Sequence, residues 1–186
     1  MGHIIEIVSL FWILSEILML LFLRSKMKNA KELDKNSLGL IWAVIIVSVT
    51  AGIIIMNNTQ CSIIRSVLIS YAGMLIIVAG MVIRFSAIRT LGKFFTVNLA
   101  IQKNHKVVKT GLYRNIRHPS YTGALMSFLG LGIAWNNWIS LAIMFIPILI
   151  SFMYRINLEE KLLIERIGTD YLDYKKNTRR LIPGIY

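Results

Sequence analysis

Apolar residues run in blocks along this chain, separated by short polar stretches rich in lysine and arginine. Most blocks are about 17 to 20 residues long, the length a helix rising 1.5 Å per residue needs to cross about 30 Å of hydrocarbon. They predict five helical spans, near residues 4–23, 38–56, 67–83, 121–134 and 139–154. The fourth is short and interrupted by glycine, so it is expected to reach the far side as half of a hairpin. After the fifth, Leu158, Leu162, Leu163, Ile167 and Leu172 stand among charges in an amphipathic helical pattern broken at Gly168, which predicts a helix on the membrane surface or capping a site. The expected fold is therefore all-α and integral to a membrane, about five transmembrane helices with a C-terminal cytoplasmic amphipathic helix. Residues 1–186 read as a single membrane domain, with three N-terminal spans in 1–83 and the chemistry in 84–186, where polar residues become dense and patterned.

Other positions sharpen this picture. Ser66, Ser70, Gly73, Ile77 and Gly80 recur at helical spacing and give the third span a mostly small face on which a neighbouring helix can pack closely. Trp135 and Trp138 flank Asn136-Asn137 between spans four and five, where indoles anchor at headgroup level. Pro147 is expected to kink the fifth span.

Composition agrees with a bilayer: 56% of residues are hydrophobic and 16% charged, against about 25% charged in soluble domains. A net charge of +12 would suggest nucleic acid in a soluble protein. Here position excludes it, because 20 of the 21 basic residues fall on one side of the predicted spans and only Arg65 lies at the edge of the other. The positive-inside rule then puts the N-terminus outside and the C-terminus in the cytoplasm, with basic loops that attract anionic membrane lipids. The first segment lacks a basic n-region and a small-residue cleavage site, so it is expected to be retained. Cys61 is the only cysteine, which rules out an intrachain disulfide and a cysteine metal site. No G-x-G-x-x-G follows a strand, and strands and helices do not alternate, so a soluble dinucleotide-type cofactor domain is excluded.

The densest polar cluster runs from His105 to Gly123. Gly111 suits a turn, and Pro119 suits the first turn of the fourth helix, whose free N–H groups favour an anion. His118 and Tyr121, three apart, face one side and can line one pocket. Arg117, His118 and Tyr121 are also residues commonly found at the mouth of a span, so spacing alone leaves both readings open. Arg155 and Glu159, i and i+4 at the inner end of the fifth span, form either a simple intrahelical ion pair worth about 0.2–0.5 kcal/mol or part of a functional cavity.

The segment Gly-Leu-Tyr113-Arg-Asn-Ile-Arg117-His118-Pro119-Ser120-Tyr121-Thr-Gly123 resembles the signature of the isoprenylcysteine carboxyl methyltransferase family. The likeness continues through Arg155-x3-Glu159-Glu160, Gly168-x2-Tyr171-x2-Tyr174 and the tail from Arg180 to Tyr186, covering about the C-terminal half from Gln102 onward. Arg-His-Pro-x-Tyr alone is shared with sterol reductases and phospholipid methyltransferases; the ordered set is more specific. The resemblance implies a multispan helical fold with a cofactor pocket open to the cytoplasm and a lipid substrate entering between helices. By position it implies that S-adenosyl-L-methionine is bound by Gln102, His105, Lys106, Val107, Val108, Tyr113, His118, Pro119, Ser120, Tyr121 and Glu159. It implies that Arg155 holds the substrate, and it makes Arg155 and Glu159 the catalytic pair. The expected reaction is methyl transfer to the carboxylate oxygen of a lipophilic or prenylated small molecule, without metal. Alternatives are O-methylation of a lipophilic phenol or enol such as an alkylpyrone, which would need His118 or Glu159 as a base, phospholipid methylation, or a non-enzymatic scaffold or small transporter.

Overall fold

The computed structural model describes residues 2–25, 32–34, 36–64, 66–92, 95, 99–100 and 107–184. Six helices carry it: α1 (Gly2–Ser25), α2 (Asn36–Asn58), α3 (Leu68–Leu91), α4 (Pro119–Ala134), α5 (Trp138–Ile167) and α6 (Thr169–Asn177). Two short strands, β1 (Glu32–Asp34) and β2 (Leu99–Ala100), pair antiparallel with Glu32 opposite Ala100. This ribbon is a small departure from the purely helical expectation. Among the described residues, three helices are long and apolar enough to cross a membrane, at Ser37–Asn58, Leu68–Leu91 and Trp138–Ile167, and a further apolar stretch, Ile7–Leu18, lies within α1. The 16 residues of α4 extend about 24 Å, short of the hydrocarbon thickness.

Two helices are longer than apolar blocks alone predict. α3 runs on to Leu91, so Arg84 and Arg89 belong to a helix and not to a loop. α5 continues without a break to Ile167, so the amphipathic pattern from Leu158 is its C-terminal end, and only Thr169–Asn177 form a separate helix. Arg, Glu and Lys are good helix formers, and a charge does not stop a helix when it faces partners inside the protein, as Arg155 and Glu160 do. Glycines in the left-handed region stop both: Gly92 at φ 53° and Gly168 at φ 73°. Pro147 lies inside α5 without ending it.

Backbone contact holds α3 to α4. A Cβ on Gly123 would lie 2.5 Å from the Gly80 carbonyl oxygen, and one on Gly130 would lie 2.6 Å from that of Gly73. Ile77, fully buried, fills the space between these crossings. The small face of the third span is thus an intrachain packing surface. On the other side α2 meets α5, where Ser140 donates to the Gly52 carbonyl at 2.7 Å and the Trp135 ring covers Gly52, while Trp138 is exposed. The turn between α4 and α5 is fixed by Asn136, at φ 51°, whose amide oxygen accepts from Ile63 and Ile64, and by Asn137, which caps α5 by accepting from the Ser140 N–H. α1 lies across this frame with Trp12 edge-on to Phe128, ring centroids 4.9 Å apart.

Candidate active site

α4 begins at Pro119, where the missing N–H is one the helix would not have used. That places His118 at its N-cap and Tyr121 in its first turn, both turned toward α5. The rings of His118 and Tyr121 stack with centroids 5.6 Å apart. The Tyr121 hydroxyl donates to Glu159 Oε2 at 2.8 Å and accepts from Arg155 Nε at 3.2 Å. Arg155 and Glu159, one turn apart on α5, are thus linked through the Tyr121 hydroxyl. Arg155, only 2% exposed, also donates to the Ser37 hydroxyl at the start of α2, at 2.6 Å.

Glu160, one residue on, is the hub of a buried charge network. Its Oε1 receives Arg117 Nε at 2.9 Å, and its Oε2 receives Arg180 at 2.9 Å and Lys175 at 3.1 Å. His118 Nε2 lies 3.4 Å from Oε1 without the alignment of a hydrogen bond, and its Nδ1 lies 3.9 Å from Glu159. Burial of a carboxylate is tolerated only with such compensation. The same network pins the C-terminal tail beneath the site. Arg117 also donates to the Thr178 carbonyl, and the N–H groups of Arg117 and His118 donate to the carbonyls of Arg179 and Arg180 at 2.7 and 3.0 Å. Thr122 donates to the Leu181 carbonyl, and Tyr174 donates to that of Tyr113 at 2.6 Å. Burial pushes the phenols of Tyr113, Tyr171 and Tyr174 well above the usual range, so each stays a hydroxyl.

His118, Tyr121, Arg155 and Glu159 border a cavity of about 480 Å³ with two unlike ends. One end is bounded by the polar groups of Tyr113, His118, Ser120, Tyr121, Glu159 and the α6 tyrosines, with apolar Val107, Val108, Leu162, Leu163 and Ile167 among them; the other end is a mostly apolar slot between α1, α2, α4 and α5, walled by Trp12, Ile41, Ile45, Val49, Phe128 and Phe152. Arg155, Tyr121 and Glu159 line the same cavity. Of the residues singled out from sequence, Val107, Val108, Tyr113, His118, Ser120, Tyr121, Arg155 and Glu159 line it together. Pro119 is fully buried behind it and fixes the backbone. Gln102, His105 and Lys106 lie outside the described residues.

Sequence reasoning gave no role to Glu160, although its place beside Glu159 at the end of an apolar run was the available signal. It also left open whether Arg117 is an ordinary residue at the mouth of a span, whereas the side chain is buried against Glu160. Ser37 and Arg84 carried no signal, because their significance lies in what faces them from other helices.

The model of the isoprenylcysteine carboxyl methyltransferase (ICMT) family matches residues 72–165, half of the chain. The chain belongs to this family. It is 32% identical over 119 residues to protein-S-isoprenylcysteine O-methyltransferase A of Arabidopsis thaliana, covering 63% of this chain and 60% of that protein. It is 36% identical over 115 residues to the protein-S-isoprenylcysteine O-methyltransferase of Saccharomyces cerevisiae, covering 61% and 48%. Among solved structures it is similar to the eukaryotic intramembrane Ras methyltransferase ICMT, with a TM-score of 0.64 and 26% identity, over 77% of this chain and 52% of that one. The chain spans less than two thirds of the length of these relatives. It is an ICMT-family, multi-pass, integral membrane chain of helical fold.

Proposed function

We propose that this chain transfers a methyl group from S-adenosyl-L-methionine to a carboxylate oxygen of a lipophilic, isoprenylcysteine-like acceptor. The observation that carries the proposal is the continuity of a polar chamber with an apolar slot, with the buried Arg155 lining the same cavity. The relatives named as protein-S-isoprenylcysteine O-methyltransferases support the same reading.

The polar chamber fits a cationic cofactor that carries a nucleoside. Glu159 offers a carboxylate to hydroxyl or ammonium donors, and Tyr113 and Tyr121 present aromatic rings toward which a positive sulfur is drawn. Val107 and Val108 supply an apolar wall, and Ser120 and Pro119 shape the helix start behind His118. In this proposal Gln102, His105 and Lys106 complete the chamber. When bound, S-adenosyl-L-methionine supplies an electrophilic methyl carbon. The protein's own work is alignment and exclusion of water. Arg155 orients the acceptor carboxylate by a charge-assisted contact, and Ser37 and Tyr121 hold its guanidinium in place. A carboxylate is already ionised at neutral pH and needs no general base. The apolar slot takes the acceptor's hydrocarbon chain.

The proposal extends to the setting. α1, α2, α3 and α5 cross the membrane and the short α4 reaches its outer side as half of a hairpin with α5, the N-terminus outside and the C-terminus cytoplasmic, in keeping with the one-sided distribution of basic residues. The shortness of α4 places its N-cap, and with it His118, below the inner surface. Residues 1–186 form one domain, in which 84–186 carry the cofactor and catalytic groups and α1 and α2, from the three N-terminal spans in 1–83, wall the acceptor slot together with α4 and α5.

The test is calorimetric titration of S-adenosylmethionine and S-adenosylhomocysteine into the detergent-purified protein, with Glu159→Ala alongside. Saturable binding that the variant loses is the expected result. No binding to folded wild-type protein would overturn the proposal.

A further inference from the structure

Two charged side chains lining the cavity do no work in the chemistry above. Glu16, on α1, pairs with Arg84, on α3, at 2.7 Å, with only 17% and 14% of the side chains exposed. Arg84 also donates to the Ser120 carbonyl at 3.1 Å and to the Ser120 hydroxyl at 3.3 Å. The backbone at Arg84 comes this close to α4 because Gly123, facing it, has no Cβ: one would lie 2.6 Å from the Arg84 backbone nitrogen. The chain of contacts therefore runs from α1 through α3 to the first turn of α4, which carries Tyr121.

Ionisable side chains within apolar spans are costly and persist where they serve a purpose. Here Ile13 and Ile17 flank Glu16 along the slot wall, and Trp12 packs on Phe128 one turn away. On the opposite face, Leu10, Leu14 and Leu18 are exposed, as suits a lipid-facing helix surface. The ring contact and the ion pair thus fix how far α1 stands from α4.

We propose that Glu16 is a specificity-determining residue: its ion pair with Arg84 docks α1 and sets the width of the acceptor slot, while the Arg84–Ser120 contact keeps the start of α4 in register. The inference rests on the reading of the slot as the acceptor site. Glu16 touches neither reacting atom and acts through the position of its helix.

Two readouts test it. Nitroxide labels at the exposed positions Leu18 and Val82, in a Cys61→Ser background, report the distance between α1 and α3 without reference to activity. Methyl-transfer kinetics over lipophilic acids of increasing chain bulk report the slot. Glu16→Gln is expected to broaden the label distances and raise acceptor KM about tenfold, equivalent to about 1.4 kcal/mol, with cofactor affinity within about twofold of wild type. It should also flatten discrimination between acceptors. Exchanging the charges, Glu16→Arg with Arg84→Glu, should narrow the distances again and restore acceptor KM, but lower kcat because the Ser120 contact is gone. Unchanged distances in Glu16→Gln, or broadened distances with unchanged acceptor KM and selectivity, would overturn the inference. Wild-type protein that methylates no lipophilic acid would sink the functional reading instead, and the slot-setting role with it, while the label distances would still show whether Glu16 docks α1.

Discussion

The two sides of the cavity are built on opposite principles. On the α3–α4 side, backbone meets backbone through Gly73, Gly80, Gly123 and Gly130, and the helix start that carries His118 and Tyr121 is stitched to the C-terminal tail. On the α1–α2 side, the helices stand away from α4 and leave a slot walled by large side chains. The close-packed side lies mostly within residues 72–165, which match the family; α1 and α2 lie outside them. A reaction needs its groups held to fractions of an ångström, whereas a hydrocarbon chain needs only an apolar space of the right width. Under the proposed function, the contrast separates the part that matches the family model from the part that would set acceptor preference.

Substitutions on the two sides should therefore fail in different ways. The largest effect is expected for Glu160→Ala, which leaves the buried Arg117 without its carboxylate; breaking such a pair costs about 3–5 kcal/mol. A lower melting temperature in detergent and loss of cofactor binding are the expected readings. Gly123→Val comes next: its methyl groups have no room against Gly80 and Arg84, and overpacking of this kind costs about 1–3 kcal/mol, again with cofactor binding lost. Thr122→Val removes the hydrogen bond to Leu181 and should cost about 1 kcal/mol, with a modest rise in cofactor Kd. The smallest effect on the fold is expected for Val49→Phe in the slot. It should leave melting temperature and cofactor Kd unchanged and alter only acceptor KM, disfavouring bulky chains. Loss of cofactor binding in Val49→Phe would erase the distinction between the two sides.

Much of this was legible in the sequence. The blocks of apolar residues marked the helices, and Pro119 and Gly168 marked where α4 begins and α5 ends. The spacing of His118 with Tyr121, and of Arg155 with Glu159, put each pair on one helical face. What a single chain could not reveal is which face meets which. The Tyr121 hydroxyl between Arg155 and Glu159, the convergence of Arg117, Lys175 and Arg180 on Glu160, and the Glu16–Arg84 pair each join residues far apart in sequence. The end of α3 was misjudged for a related reason: Arg84 read as a loop charge until the groups that neutralise it are in place, and the amphipathic stretch from Leu158 read as a helix apart from the fifth span, although it continues α5 as far as Gly168.

The most direct test of the central claim is transfer of labelled methyl from S-adenosylmethionine to a lipophilic carboxylic acid, measured with wild-type protein and Arg155→Ala at known cofactor Kd. Arg155 at the junction of chamber and slot predicts a fall in kcat/KM for the acid of about 100-fold, the scale of one lost charge-assisted contact of about 2.7 kcal/mol, with cofactor Kd within about threefold. Abolished cofactor binding in Arg155→Ala, or unchanged transfer, would contradict it.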